Sequence, residues 1–139
     1  MLVAPADHLM PDINLFHQAI EIGLKEVEKK RKIVTFGVEP TRPETGYGYL
    51  ELDRAKKNMD PKKVIRFVEK PDLQLAKLMS NSGNHLWNAG IFLFKAKDMI
   101  SAFKKIAPET LSLASDAVNK SKPDLGFLRL DPEPWESLE

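Results

Sequence analysis

The chain has 139 residues, 21 basic and 20 acidic side chains, a formal net charge of +1 and an apolar fraction of 42%. This balance lacks the basic excess of a nucleic-acid binder, and the absence of cysteine excludes disulfides, thiolate metal sites and cysteine nucleophiles. No apolar run approaches the roughly 18 residues of a membrane span, and no basic segment followed by an apolar stretch opens the sequence. A cysteine-free chain suits a reducing compartment, so a cytoplasmic location is expected.

Leu2-Val3-Ala4 reads as a buried strand that ends at Pro5 and feeds the loop Pro5-Ala6-Asp7-His8. From Asp12, a plausible N-cap, the period becomes helical, with Phe16, Ala19, Ile20, Leu24 and Val27 on one face. The basic run Lys29-Lys30-Arg31-Lys32 suits the C-terminal end of that helix. Ile33 to Val38 is β-branched and short, a second strand. Residues 2–38 therefore read as a βαβ unit, which predicts parallel strands and a right-handed crossover.

Glu39 to Thr45 holds two prolines and is a loop. Tyr47–Leu52 and Val64–Glu69 read as strands joined by the polar stretch from Arg54 to Lys63, an antiparallel hairpin laid on the parallel sheet. Asp72–Ser80 is a short helix stopped by Asn81-Ser82-Gly83. Ala89–Phe94 is apolar throughout and reads as a central strand buried on both faces. Lys97–Ala107 puts Ile100, Phe103 and Ala107 on one helical face, and Pro108 opens a further helix with Leu111, Ala114 and Val118 inward. Lys122-Pro123-Asp124 reads as a turn, and Phe127–Leu130 as a last strand or an irregular extended piece. The strand that starts almost at the first residue, and a final Leu138-Glu139 resembling the scar ahead of an affinity tag, suggest that both ends are cuts.

Four segments have chemistry to offer. Asp7 follows the end of a strand, where open α/β sheets bind ligands. It can hold Mg²⁺ against a phosphate, or simply cap the next helix or turn the chain. Gly46 and Gly48 allow close approach of backbone to a ligand, and Tyr47 and Tyr49 offer a ring face and a hydroxyl. The plainer reading is an edge strand with a glycine kink. Glu69 and Lys70 end a strand before Pro71; the carboxylate can accept from two hydroxyls and the ammonium can sit on a phosphate. They can equally be exposed charges before a turn. Asn88, beside a tryptophan suited to a core, has donors and an acceptor for hydroxyl groups.

In order, the segments PADH, TFGVEPTRPETGYGYLE, FVEKPD, LWNAGIFLF and FLRLD resemble the bacterial mannose-1-phosphate guanylyltransferases, above all the type often fused to a phosphomannose isomerase. The resemblance runs from Leu2 to about Asp131. It implies an α/β fold: part of a Rossmann-like nucleotidyltransferase domain, with a mixed, mostly parallel sheet, helices on both faces and a β-hairpin. It also implies the joining of mannose 1-phosphate to GTP with release of pyrophosphate. Asp7 would bind Mg²⁺ and act catalytically with Lys70. Gly46, Tyr47, Gly48, Glu69, Lys70 and Asn88 would bind the sugar phosphate. The family's glycine-rich triphosphate loop and its second metal-binding aspartate have no counterpart in this sequence. Residues 1–139 are therefore expected to be the sugar-binding portion of a longer enzyme, inactive alone. A catalytically inactive sugar-nucleotide-binding module and an enzyme for another hexose 1-phosphate remain as alternatives, and a homodimer is open.

Overall fold

The computed structural model describes residues 1–53 and 59–137. Half of the stretch read as a polar turn, residues 54–58, and the terminal Leu138-Glu139 lie outside the described residues. The chain divides into two units, Met1–Lys95 and Ala96–Glu139.

The first unit is a five-stranded sheet: β1 (Leu2–Val3), β2 (Val34–Val38), β3 (Tyr49–Leu52), β4 (Val64–Val68) and β5 (His85–Leu93). Two helices belong to it, α1 (Ile13–Lys30) and α2 (Leu73–Asn81). β5 is the hub. One of its edges pairs with β2, and β1 and β3 follow one another along the other edge, with β4 outside β3. Every one of these ladders is antiparallel, which corrects the expectation of a mostly parallel sheet. β1 and β2 do run in the same direction, as a βαβ unit requires. They are not neighbours, because β5 lies between them and opposes both. The β3–β4 hairpin is as expected, closed by a bond from the Asp53 amide to the Lys63 carbonyl (3.0 Å).

Local chemistry sets the helix ends. The Asp12 carboxylate accepts from the Leu15 amide at 2.9 Å and starts α1. A Glu26–Lys30 pair one turn apart (2.9 Å) supports its last turn, and Arg31 ends it in the left-handed region at φ 51°. α1 lies against the sheet at Gly23, where an added Cβ would stand 3.1 Å from Leu93 and 3.4 Å from Val34. Phe16 meets Phe36 at 6.1 Å. Val27 is buried, Phe16, Ala19 and Ile20 are half-buried, and Leu24, expected on the same face, is exposed. Asp72 caps α2 through the Leu75 amide (2.8 Å). That helix buries Ala76 and Met79 against Tyr49 and Trp87, with Val68 and Leu75 at the margin. Each large apolar side chain removed from water here contributes about 1.5–3 kcal/mol.

Two expectations about the strands need correction, one of burial and one of extent. β1 is exposed rather than buried. β5 starts at His85, four residues before the apolar run, so Trp87 and Asn88 are strand residues.

The second unit holds α3 (Ala96–Ile106), α4 (Pro108–Asn119), β6 (Lys122–Asp124), β7 (Phe127–Arg129) and α5 (Glu133–Glu136). Pro108 takes the first turn of α4 as expected. Ala117 is the buried residue of α4, whereas Val118, read as inward, is exposed, as are Ile100 and Phe103, read as sharing one face of α3. Lys122-Pro123-Asp124 is a strand and not a turn: it pairs antiparallel with β7 around Leu125-Gly126. Both of those residues have positive φ, 47° and 86°, the requirement of a tight two-residue hairpin loop.

Candidate functional site

Gly48 connects the expected site residues. Its carbonyl accepts from the Asn88 amide at 2.8 Å, which ties the loop before β3 to β5. A Cβ added at Gly48 would lie 2.7 Å from Glu69 Oε2 and 2.7 Å from the Phe67 ring. The absent side chain is therefore what admits the Glu69 carboxylate. One residue earlier, the Tyr47 carbonyl accepts from the Lys70 amide (3.2 Å). Glycine at 46 has a different basis, since an added Cβ would find only Glu44 Oε1, at an ordinary 3.5 Å.

Neighbours on a strand point to opposite faces, so Glu69 and Lys70 need a departure from the pleat to serve one site. The departure is at Lys70, whose φ of 45° is left-handed. Lys70 Nζ comes within 3.7 Å of Glu69 Oε1, with both side chains more than half exposed. An exposed pair of this kind contributes only about 0–1 kcal/mol, so both charges stay available to a ligand.

The orientation of the Asn88 amide follows from its partners. The Gly90 amide can only donate, and it lies 3.3 Å from Asn88 Oδ1. The Thr35 hydroxyl donates toward the same oxygen at 3.1 Å, with the Ile91 carbonyl as its other acceptor at 3.3 Å. The oxygen is thus committed. Nδ2 has no acceptor among the described residues and presents two hydrogens. Toward a ligand the site offers an acceptor at Glu69, a donor at Asn88 and a point positive charge at Lys70.

The Tyr47 ring packs edge-on against Trp87 at 5.2 Å and 77°. The Arg42 guanidinium stands over the same indole at 5.6 Å. Trp87 is buried, as expected for a core residue, and its Nε1 has no partner among the described residues. Tyr49 is fully buried, so it offers no ring face to a ligand. Its hydroxyl donates to the Glu44 carbonyl and accepts from the Glu44 amide, both at 2.9 Å. The Glu44 carboxylate accepts from the Gly46 amide (3.1 Å) and from Arg42 Nε and Nη2 (3.2 and 3.0 Å). The Gly46 N–H, then Arg42, hold its carboxyl below the ordinary carboxylate value.

Asp7 sits exposed in the turn after β1. Pro5, just before that turn, lies beside β5, its Cγ 3.6 Å from where a Cβ on Gly90 would stand. Among the described residues, Asp7 itself makes no hydrogen bond or ion pair that joins it to Glu69, Lys70 or Asn88. Among the described residues no three His, Cys, Asp or Glu side chains are grouped to hold an ion. A single carboxylate fits Mg²⁺ all the same, because that ion takes much of its shell from substrate phosphates and water.

Thr35, Arg42 and Glu44 had no role in the sequence reading, and Tyr49 was read there for a ring face and hydroxyl toward a ligand, not for gripping the Glu44 backbone. Three of them lie inside the glycine–tyrosine segment, where a carboxylate two residues before a glycine in a loop is a signal for side-chain-to-backbone bonding. Thr35 gave none, because its partner is 53 residues away.

The family model described as nucleotidyl transferase matches residues 1–136. The mannose-1-phosphate guanylyltransferase of Escherichia coli K12 is 40% identical across 100% of this chain, which spans 30% of that protein. The xanthan biosynthesis protein XanB of Xanthomonas campestris pv. campestris B100 is 39% identical across 99% of this chain and 28% of its own length. Among solved structures, a crystal structure of mannose-6-phosphate isomerase from Helicobacter pylori superposes with a TM-score of 0.82 at 31% identity. It covers 99% of this chain and 53% of that one. The chain thus spans about 30% of the length of the curated relatives it matches.

Proposed function

The chain belongs to the nucleotidyl transferase family, and from that premise we propose that it carries the sugar-phosphate site of a longer mannose-1-phosphate guanylyltransferase. The reaction joins mannose 1-phosphate to GTP and releases pyrophosphate. The observation that carries this reading is the meeting of Gly48, Glu69, Lys70 and Asn88 around one backbone junction. The names of the relatives support the choice of mannose and guanine. Composition supports a cytoplasmic location, and no helix among the described residues is long and apolar enough to cross a membrane.

The nucleophile is an oxygen of the sugar phosphate, whose second pKa of about 6 leaves it ionised at neutral pH, so no strong base is required. The obstacle is the approach of two anions. Unit charges 4 Å apart repel by about 4 kcal/mol at an effective dielectric of 20. Lys70 offsets that repulsion at the sugar phosphate. Glu69 accepts from sugar hydroxyls, and Asn88 Nδ2 donates to a sugar oxygen, so the ring is held while the phosphate is aimed. Mg²⁺ held at Asp7 would neutralise charge on the phosphates. The sugar-phosphate oxygen forms a bond to the α-phosphorus of GTP, and the bond to pyrophosphate breaks.

The test is pyrophosphate release by the full-length protein across a panel of hexose 1-phosphates and nucleoside triphosphates. Mannose 1-phosphate with GTP is expected to give the highest kcat/KM; preference for another sugar would overturn the specificity. Glu69→Ala is expected to raise KM for the sugar phosphate on the order of a hundredfold while the KM for GTP holds. Equal losses for both substrates would make Glu69 a fold residue.

A further inference from the structure

The segment from Arg42 to Gly48 carries three of the residues expected to bind the sugar phosphate, Gly46, Tyr47 and Gly48, yet most of it is exposed and little packing fixes its shape. Its outer flank faces a cleft of about 160 Å³ lined by Pro40, Thr41, Arg42 and Pro43 on one side and Lys77, Ser80 and Asn81 of α2 on the other. What defines the segment is hydrogen bonding, and the bonds converge on one residue. The Glu44 backbone is gripped at both its N–H and its C=O by the hydroxyl of the fully buried Tyr49. The Glu44 carboxylate divides its oxygens: Oε1 holds the Gly46 amide and Oε2 holds Arg42. Arg42 in turn lies over Trp87, against which the Tyr47 ring also packs.

We infer that Glu44 is a positioning residue: it sets the Gly46–Gly48 backbone, and Tyr47 with it, in the geometry that receives the sugar phosphate. This rests on the sugar-site reading above. Glu44 itself touches no substrate. Both oxygens of its carboxylate are engaged, Oε1 by Gly46 and Oε2 by Arg42, and it acts through them. Loss of the carboxylate frees the Gly46 amide, uncouples Arg42 from its place over the indole and loosens the cover on Trp87.

Two measurements test this. The chain has two tryptophans, so a Trp135→Phe background leaves Trp87 as the only indole. At pH 7, acrylamide quenching of Trp87 is expected to rise at least about twofold in Glu44→Ala, and less in Glu44→Gln, which keeps an acceptor for Gly46. Far-UV circular dichroism monitors the fold, and should Glu44→Ala fail to fold, Glu44→Gln carries the comparison. Quenching unchanged in a folded variant overturns the inference. In the full-length protein, Glu44→Ala is expected to raise KM for the sugar phosphate on the order of tenfold with GTP KM unchanged, and Glu44→Gln to recover part of it. Increased quenching with unaltered sugar-phosphate KM would mean that Glu44 shapes a loop that is not the sugar site. That result would sink the functional reading and leave the role in the loop intact.

Discussion

The two glycines of the Gly46-Tyr47-Gly48 segment look alike in sequence and differ in what they do. Gly48 gives its side-chain volume to the Glu69 carboxylate and the Phe67 ring, whereas Gly46 has open room. Gly48→Ala is expected to cost about 1–3 kcal/mol of stability through overpacking and to displace the carboxylate. Gly46→Ala is expected to melt within a degree or two of the parent. Thermal unfolding of the pair reads the difference, and equal shifts would refute it. Thr35 gives a second residue-level test. With Thr35→Val, the Asn88 oxygen keeps only the Gly90 N–H, so the amide is free to turn over. A lost hydrogen bond of this kind corresponds to roughly a two- to tenfold rise in KM for the sugar phosphate, with GTP unaffected. No change in either would show that Gly90 alone orients the amide. Asp7, Glu69, Lys70 and Asn88 could be picked out in the sequence as candidates because their charged and amide groups flank apolar, strand-like runs. The roles of Glu44 and Tyr49 in the loop could not, because the Arg42–Glu44–Gly46 bonds and the grip of Tyr49 on the Glu44 backbone exist only once the loop is folded.

At the level of elements, the positions of α1 to α4 and of most strands could be read from periodicity and caps, though that of α5 could not, and Asp12 and Asp72 cap α1 and α2 as their sequence context suggests. Strand direction could not. Alternation of apolar residues records which face is buried, not which strand lies alongside, and the neighbour that separates β1 from β2 comes about fifty residues later. β5 was read too short because His85 and Asn88 interrupt its apolar pattern, although His85 is buried. The β6–β7 turn was missed because Leu125 is an unusual residue for a left-handed position. It pays a penalty there of about 1–2 kcal/mol relative to a residue that accepts that region. Leu125 is 95% exposed, so little packing is lost on replacing it. Leu125→Asn, which creates the Asn-Gly pair favoured in such loops, is expected to raise the melting midpoint by a few degrees, on the order of 0.5–1 kcal/mol. A lower midpoint would mean that the leucine makes a contact worth more than the backbone strain.

At the scale of the molecule, the centre of the sheet in the first unit is the last of its strands to appear in the chain. β1 and β2 have ladder partners only in β5, and β3 has β5 as its second neighbour. A chain cut after residue 84 therefore keeps one ladder of this sheet, the β3–β4 hairpin, and leaves β1 and β2 without a partner strand. Such a truncated chain is expected to be cleaved readily by a low dose of protease throughout β1 and β2. A chain cut after residue 95 is expected to be protected there. Protection that grows gradually as residues are restored between 84 and 95 would instead point to a sheet that assembles piecewise. One nine-residue strand is thus the keystone on which three of the four ladders of the first unit depend.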